Sequence, residues 1–133
     1  MVIGMAIIHD EAFRDWESGV REAIRSDPMF RFDAYRVSLY LITLANADAE
    51  TLRTHRGFPN QTDQLLRSVG SIGANIAEGL GRSSASERSR FFSIALGSLR
   101  ESLTWYLAVE QALGKELVDE RSVQLSELLE ARR

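Results

Sequence analysis

The chain has 133 residues, a net charge of −3 and no cysteine. This length fits one domain with a single core, and the lack of cysteine excludes a disulfide framework and a thiolate metal site. The acidic charge argues against a generally basic nucleic-acid binder, and no apolar run is long enough to cross a bilayer. Because Met1-Val2-Ile3 lacks the basic start of a secretion signal, we expect a cytoplasmic protein.

Residues 1–30 contain one apolar stripe at helical spacing, with Asp10 placed as an N-cap and Asp27-Pro28 as a stop. The stripe consists of Phe13, Trp16, Val20, Ala23 and Ile24. It predicts one extra short helix ahead of the main domain. Either the chain's own helices or a neighbouring subunit could cover this helix, and the spacing leaves both alternatives open.

A first long helix is predicted from about Phe32 to Thr54. Its apolar face is wide enough to contact more than one partner, and it comprises Tyr35, Val37, Leu39, Leu41, Ile42, Leu44, Ala45, Ala49 and Leu52. Gly57-Phe58-Pro59 should end this helix, and Asn60 is a reasonable cap for the next. The short connection predicts that the two helices are antiparallel neighbours.

A second helix is predicted by apolar residues three or four apart, at Leu65, Val69, Ile72, Ile76 and Leu80. Gly70 and Gly73 lower helix propensity, which indicates a close approach of another backbone. Gly79 and Gly81 could take positive φ where this helix stops. Ser84 and Glu87 have the spacing of a capping box, so a third helix should begin there and form a hairpin with the second.

The third helix is predicted to run for about 30 residues, or roughly 45 Å, as far as Leu113. Gly97-Ser98 should let it pack closely against the Gly70-Gly73 face. The last helix should begin near Asp119 and end at Arg132-Arg133. It would then have less than half the length of the third helix. Part of the third helix would then need another cover, supplied by the N-terminal helix, a second subunit or both. This difference in length suggests oligomerisation.

The polar residues Asn75, Glu78 and Arg82 can share one face where the second helix ends. They could bind a phosphate or a partner through Arg82, or they could hydrogen-bond the turn and the facing helix. We favour the structural role, because a carboxylate and an amide beside one arginine make a poor anion site. The polar and small residues singled out in this hairpin are Asn75, Glu78, Gly79, Gly81, Arg82, Ser84, Gly97 and Ser98.

The same hairpin resembles a known family. Residues 71–82 read SIGANIAEGLGR, and Ser84, Phe91, Ile94-Ala95, Gly97-Ser98-Leu99 and Glu101 follow. This string is similar to the signature of the four helix bundle proteins, first described as products of intervening sequences in bacterial 23S ribosomal RNA genes. Phe58-Pro59, Gln64 and Arg67 also match upstream, and residues 32–37 resemble the start of the family's first helix. The resemblance covers about residues 32–130.

The resemblance implies an all-α fold, an antiparallel up-down-up-down four-helix bundle over residues 31–133, preceded here by the extension at 1–30. It also implies a homopentameric ring that acts as an assembly or accessory module. Similar proteins that accompany the reverse transcriptases of diversity-generating retroelements bind nucleic acid through a strongly basic surface. This chain departs from that pattern, because it is acidic overall.

Residues 51–100 are nevertheless locally positive, with seven arginines against three acids. Nucleic-acid binding is therefore the alternative function, with candidate contacts at Arg53, Arg56, Arg67, Arg82, Arg88 and Arg90. The only histidines are His9 and His55, and neither has the Glu-x-x-His spacing of helical metal sites. No catalytic or cofactor-binding motif is found. We therefore expect a protein without enzymatic activity, metal, cofactor or membrane contact.

Overall fold

The computed structural model describes residues 5–131, which form α-helices and 3-10 turns without a strand in that range. The α-helices are α1 (Glu11–Ser18), α2 (Glu22–Arg25), α3 (Asp33–Arg53), α4 (Pro59–Leu80), α5 (Ala85–Ala108), α6 (Glu110–Leu113) and α7 (Lys115–Ala131). The 3-10 turns are Ala6–His9 and Pro28–Arg31. The all-α prediction is confirmed.

The four long helices surround one core. α4 packs between α3 and α5, and α7 contacts both α5 and α3. Ser68 of α4 is hydrogen-bonded to Ser102 of α5, and Ser71 of α4 is hydrogen-bonded to Ser98 of α5. Because the residue numbers rise in one helix as they fall in the other, the two helices run in opposite directions. The most fully buried large side chains include Tyr106, Phe13, Ile7, Leu52, Leu65, Ile72 and Leu125. Burial of these apolar side chains is the main driving force for the fold.

The N-terminal extension packs against the bundle of its own chain. The Phe13 ring lies edge-on to Tyr40 with centroids 5.3 Å apart, and the Trp16 Nε1 donates a hydrogen bond to the Thr43 hydroxyl at 3.1 Å. Arg36 of α3 is ion-paired with Glu17 of α1 at 2.7 Å. Of the two covers considered for the apolar stripe, the structure therefore has the intrachain one.

The single helix predicted in this extension is in fact divided. α1 ends at Ser18, α2 begins only at Glu22, and Ile24 in the second half of the stripe is 39% exposed. Asp10 lies at the N-cap of α1, but its side chain makes no capping bond. Asp27 instead accepts a hydrogen bond from the Met29 amide at 2.8 Å and caps a 3-10 turn.

The predicted start of the second long helix was also wrong. Asn60 lies inside α4, because Pro59 occupies the first helical position, where a missing amide hydrogen costs nothing. The Phe58 carbonyl accepts the first helical bond, from the Thr62 amide at 2.9 Å. Gly57 takes a φ of 106° and reverses the chain between α3 and α4.

The third and fourth helices are closer in length than predicted. α5 ends at Ala108, because the fully buried Val109 takes a non-helical φ and ψ of −109° and 12° before the short α6. Gly114 (φ 95°) then reverses direction, and its carbonyl accepts from the Val118 amide, so α7 begins at Lys115 and not near Asp119. α5 has 24 residues and α7 has 17. The predicted end at Arg132-Arg133 lies outside the described residues.

Two of the predicted glycine roles were wrong. Gly79 and Gly81 are not at positive φ. A Cβ on Gly79 would lie 2.5 Å from the Phe92 ring, so Gly79 instead allows this ring of α5 to pack closely against α4. Gly73 does allow a close approach, but to Ser38 of α3 and not to α5. A Cβ on Gly70 or on Gly97 would meet no other atom of the described chain within 4 Å, so the predicted Gly97 contact does not form.

Candidate interaction surface

A buried ionic cluster joins three helices at the centre of the bundle. The Asp48 carboxylate of α3 accepts hydrogen bonds from Tyr106 of α5 at 2.6 Å and from two nitrogens of Arg121 at 2.8 and 3.2 Å. Arg121 also donates to the Gln124 side chain at 3.2 Å. The two-pronged contact between guanidinium and carboxylate fixes the position of α7 against α3.

Both partners of Asp48 stay protonated over the physiological pH range. Burial and the adjacent Asp48 carboxylate raise the pKa of Tyr106 far above its usual range. Burial alone would lower the pKa of Arg121, but its hydrogen bonds and charge interaction with Asp48 outweigh that effect and raise it. The cluster is therefore a structural tie and not a proton-transfer site. The sequence analysis did not predict this buried cluster. The position of the Asp48 carboxylate among the apolar residues Ala45, Ala49 and Leu52 could have indicated it.

Hydroxyl groups form a ladder between α4 and α5. Ser98 donates to the Ser71 hydroxyl at 2.8 Å, and Ser102 approaches the Ser68 hydroxyl at 3.1 Å. Asn75 donates to the Ser71 carbonyl of its own helix at 2.8 Å. Small hydroxylated side chains at these positions allow the two helices to approach while their polar atoms remain paired.

The turn from α4 to α5 is held by charged and capping contacts. Ser84 accepts a hydrogen bond from the Glu87 amide at 3.1 Å, so the predicted N-cap is formed. Arg82 is paired with Glu78 at 3.0 Å, as their spacing indicated. Arg88 donates to the Arg82 carbonyl at 2.8 Å, which ties α5 to the turn that follows α4. The side-chain hydrogen bonds of Asn75, Glu78 and Arg82 are made within α4 and its end and do not reach α5.

The same turn carries three arginines, two of which lie over one aromatic ring. The guanidinium groups of Arg82 and Arg90 lie 5.0 and 5.5 Å from the centroid of the Phe91 ring, within the range of cation–π attraction. Arg90 is exposed and forms no ion pair with the described residues. We call Arg82, Arg88 and Arg90 the arginine rim.

An open, mostly apolar groove of about 610 Å³ lies between α3, α4, α5 and α7, and Arg88 of the arginine rim is among its lining residues. Its floor includes the core residues Ile72, Ala95 and Leu99, and its walls include Phe32 and Phe92, which are 54% and 38% exposed. Leu128 of α7 is also among the lining residues.

Residues 49–130, which include most of the core and the whole α4–α5 hairpin, match the family model described as 23S rRNA-intervening sequence protein. The chain belongs to this family. The family match and the resemblance noted in the sequence therefore agree.

A solved structure of a family relative supports the fold. It is the crystal structure of a protein of unknown function from the S23 ribosomal protein family of Bacteroides thetaiotaomicron, which this 23S rRNA-intervening sequence protein matches with a TM-score of 0.67 and 23% identity. The match covers 71% of this chain and 90% of the relative. At this identity the similarity shows the fold alone. No curated protein matches the chain.

The candidate nucleic-acid contacts of this family member do not gather on one surface. Arg53 and Arg56 lie at the α3–α4 turn, whereas the arginine rim lies at the opposite end of α4, a helix of 22 residues or roughly 33 Å. Arg53 is ion-paired with Glu50, and Arg67, within α4, with Asp63. Much of the local positive charge is thus already paired within the chain.

In residues 5–131 no group of three or more histidine, aspartate or glutamate side chains is placed to hold a metal ion. No helix in that range has both the length and the apolar character needed to cross a membrane.

Proposed function

We propose that this protein is a non-enzymatic assembly or accessory module that acts in the cytoplasm as a homo-oligomer, specifically a homopentameric ring. The open apolar groove is the observation that carries this proposal. Core residues of α4 and α5 line it, and a groove of this kind gains free energy when a second surface removes it from water, at roughly 25 cal/mol per Å² of apolar area.

The relative lengths of the helices support the same conclusion, although less strongly than the sequence suggested. α7 is seven residues shorter than α5, and the N-terminal extension packs against the side of α3 that carries Tyr40 and Thr43. The extension therefore does not replace α7 over the groove. A neighbouring subunit remains the natural cover for Phe32 and Phe92.

Light scattering coupled to gel filtration tests this proposal. We expect a mass near five times the 14.9 kDa of one chain, independent of loading concentration in the micromolar range. A mass of one chain at the highest concentration would contradict the proposal. A ring of another size would contradict the copy number but not the assembly.

Nucleic-acid binding, beside a reverse transcriptase as in some similar proteins, is the weaker alternative. The exposed Arg90 at the rim favours it, whereas the acidic net charge and the separation of the arginines oppose it. We expect no shift of RNA or DNA at micromolar protein in a low-salt anisotropy assay. Binding that disappears in Arg82→Ala/Arg90→Ala, but not in Arg53→Ala/Arg56→Ala, would instead favour the alternative.

A further inference from the structure

The N-terminal extension has a docked part and a part that lies in water. We call the docked part, residues 5–18, the strap; it contains the 3-10 turn Ala6–His9 and α1, and it packs on α3 and α7. The strap buries the side chains of Met5, Ile7 and Phe13 almost completely. Residues 21–28, which lead from the strap towards α3, are all exposed. The strap is therefore joined to α3 by a solvent-exposed linker.

Aromatic rings form the centre of the contact between the strap and α3. The ring centroids of Phe13 and Trp16 each lie 5.3 Å from that of Tyr40. The Trp16 indole also donates a hydrogen bond to the Thr43 hydroxyl at 3.1 Å. Two aromatic side chains one turn apart on α1 thus bind a tyrosine and a hydroxyl of α3, in the way that an amphipathic helix binds the surface that receives it.

Polar contacts hold the strap at both of its ends. Arg36 of α3 donates a hydrogen bond to the Glu17 carboxylate at 2.7 Å. The Glu127 carboxylate of α7 accepts a hydrogen bond from the Ile7 amide at 3.1 Å. The strap therefore bridges two helices of the bundle. The residues that receive it, which we call the acceptor site, are Arg36, Tyr40, Thr43 and Glu127.

The long helices have ties of their own that do not involve the strap. α7 is bound to α3 through the buried pair of Arg121 and Asp48, and α4 is bound to α5 through the serine ladder. Arg36 has a second partner in Asp33 of its own helix. The Arg36 Nε is buried without a hydrogen-bond partner among the described residues, so the docked state carries an unsatisfied donor. Undocking therefore breaks the contacts of the strap and leaves those between the long helices.

The strap is too short to be ordered without the bundle. A 3-10 turn of four residues and a helix of eight do not form stably in water by themselves. The burial of three apolar side chains must therefore offset the conformational entropy that the whole segment loses on docking. Because these two terms oppose each other, we expect the strap to open more readily than the bundle unfolds.

We propose that the strap is a detachable intramolecular ligand and that the acceptor site binds an amphipathic helix with two aromatic residues one turn apart followed by an acidic residue. In this chain the occupant is its own residues 5–18. The strap undocks as one unit while the four long helices stay folded, and the open acceptor site binds the same segment when it is supplied as a separate peptide. The inference goes beyond the proposed assembly function and does not depend on the number of copies.

A labelled peptide of residues 5–20 tests the site, with the full-length chain as receptor and fluorescence anisotropy as readout. In the wild-type chain the strap occupies the acceptor site, so the apparent affinity is lowered by the fraction of chains that are open. Phe13→Ala in the receptor removes the main anchor of the strap, and we expect it to tighten peptide binding at least about ten-fold. Adding Arg36→Glu to this receptor should reverse the gain, because it repels Glu17 of the peptide.

Two controls are matched to these changes. Arg14→Ala in the receptor alters an exposed position of α1 and should leave the affinity for the peptide unchanged. A peptide in which Phe13 and Trp16 are both replaced by alanine should not bind any of the receptors.

Hydrogen exchange with mass spectrometry measures undocking in the full-length chain. We expect the amides of α1 to exchange at least about ten-fold faster than those of α4 and α5, and Phe13→Ala to accelerate exchange in α1 alone. Tighter peptide binding by Phe13→Ala, with α4 and α5 still protected, would support the proposal. It would be overturned if the folded Phe13→Ala chain failed to bind the peptide, or if exchange in α4 and α5 rose as much as in α1, because the strap would then be part of the core.

Discussion

Asp48 is a carboxylate on the otherwise apolar inner face of α3, and it is only 3% exposed. Its oxygens accept hydrogen bonds from Tyr106 and Arg121, so the cost of removing the charges from water is offset by direct pairing. Exposed pairs such as Asp63 with Arg67 lie in water and contribute little. At the scale of single residues, the buried cluster therefore matters more than the many surface ion pairs.

Asp48→Ala should destabilise the fold by about 3–5 kcal/mol, because Arg121 would remain buried without a counter-charge. Asp63→Ala, which breaks an exposed pair, should cost less than about 1 kcal/mol. Urea denaturation of both variants measures the difference. Equal midpoints would contradict the importance given to the buried cluster.

Replacement of glycine by alanine should give opposite results at different positions. Gly70→Ala and Gly97→Ala should each raise the free energy of unfolding by about 0.5–1 kcal/mol, because both sites have open space and alanine favours a helix. Gly79→Ala should lower it by roughly 1–3 kcal/mol, since the added methyl group meets the Phe92 ring at 2.5 Å. Thermal denaturation compares the three. A stabilised Gly79→Ala variant would show that Phe92 is free to move away.

At the scale of helices, the α4–α5 hairpin is the best-defined element. Ser84 caps the start of α5, Arg88 binds a carbonyl of the turn between the two helices, and the serine ladder ties the two arms together. The size of the hydroxyl side chains sets the distance between the arms. A larger side chain at a fully buried position would force them apart.

Ser102→Leu should therefore cost more than Ser102→Ala. Ser102 is completely buried, and alanine removes only one hydroxyl, at about 1 kcal/mol. Leucine adds volume to a packed interface, and we expect a further loss of about 1–3 kcal/mol. Chemical denaturation measures both variants. A leucine variant as stable as the alanine variant would mean that the two arms are not closely packed there.

The sequence was most informative where a pattern is local. Helical periodicity located α3 and α4, and the Ser84–Glu87 spacing located the start of α5. The residues that were misjudged depend on tertiary contacts. Nothing near Gly79 in sequence indicates that Phe92 packs on it, and nothing near Val109 indicates that the chain must bend there to bury it. The pairing of Asp48 with Arg121 spans 73 positions, beyond the reach of any periodic pattern.

At the scale of the whole molecule, Arg121 ties α7 to the centre of α3, and an open apolar groove lies between α3, α4, α5 and α7. Phe32 and Phe92, which line this groove, are 54% and 38% exposed. We therefore expect the chain to self-associate through this surface.

Native mass spectrometry of the full-length chain tests this self-association most directly, because it counts subunits. We predict a dominant species of five chains of 14.9 kDa each. A spectrum that contains only the single chain at micromolar concentration would contradict self-association.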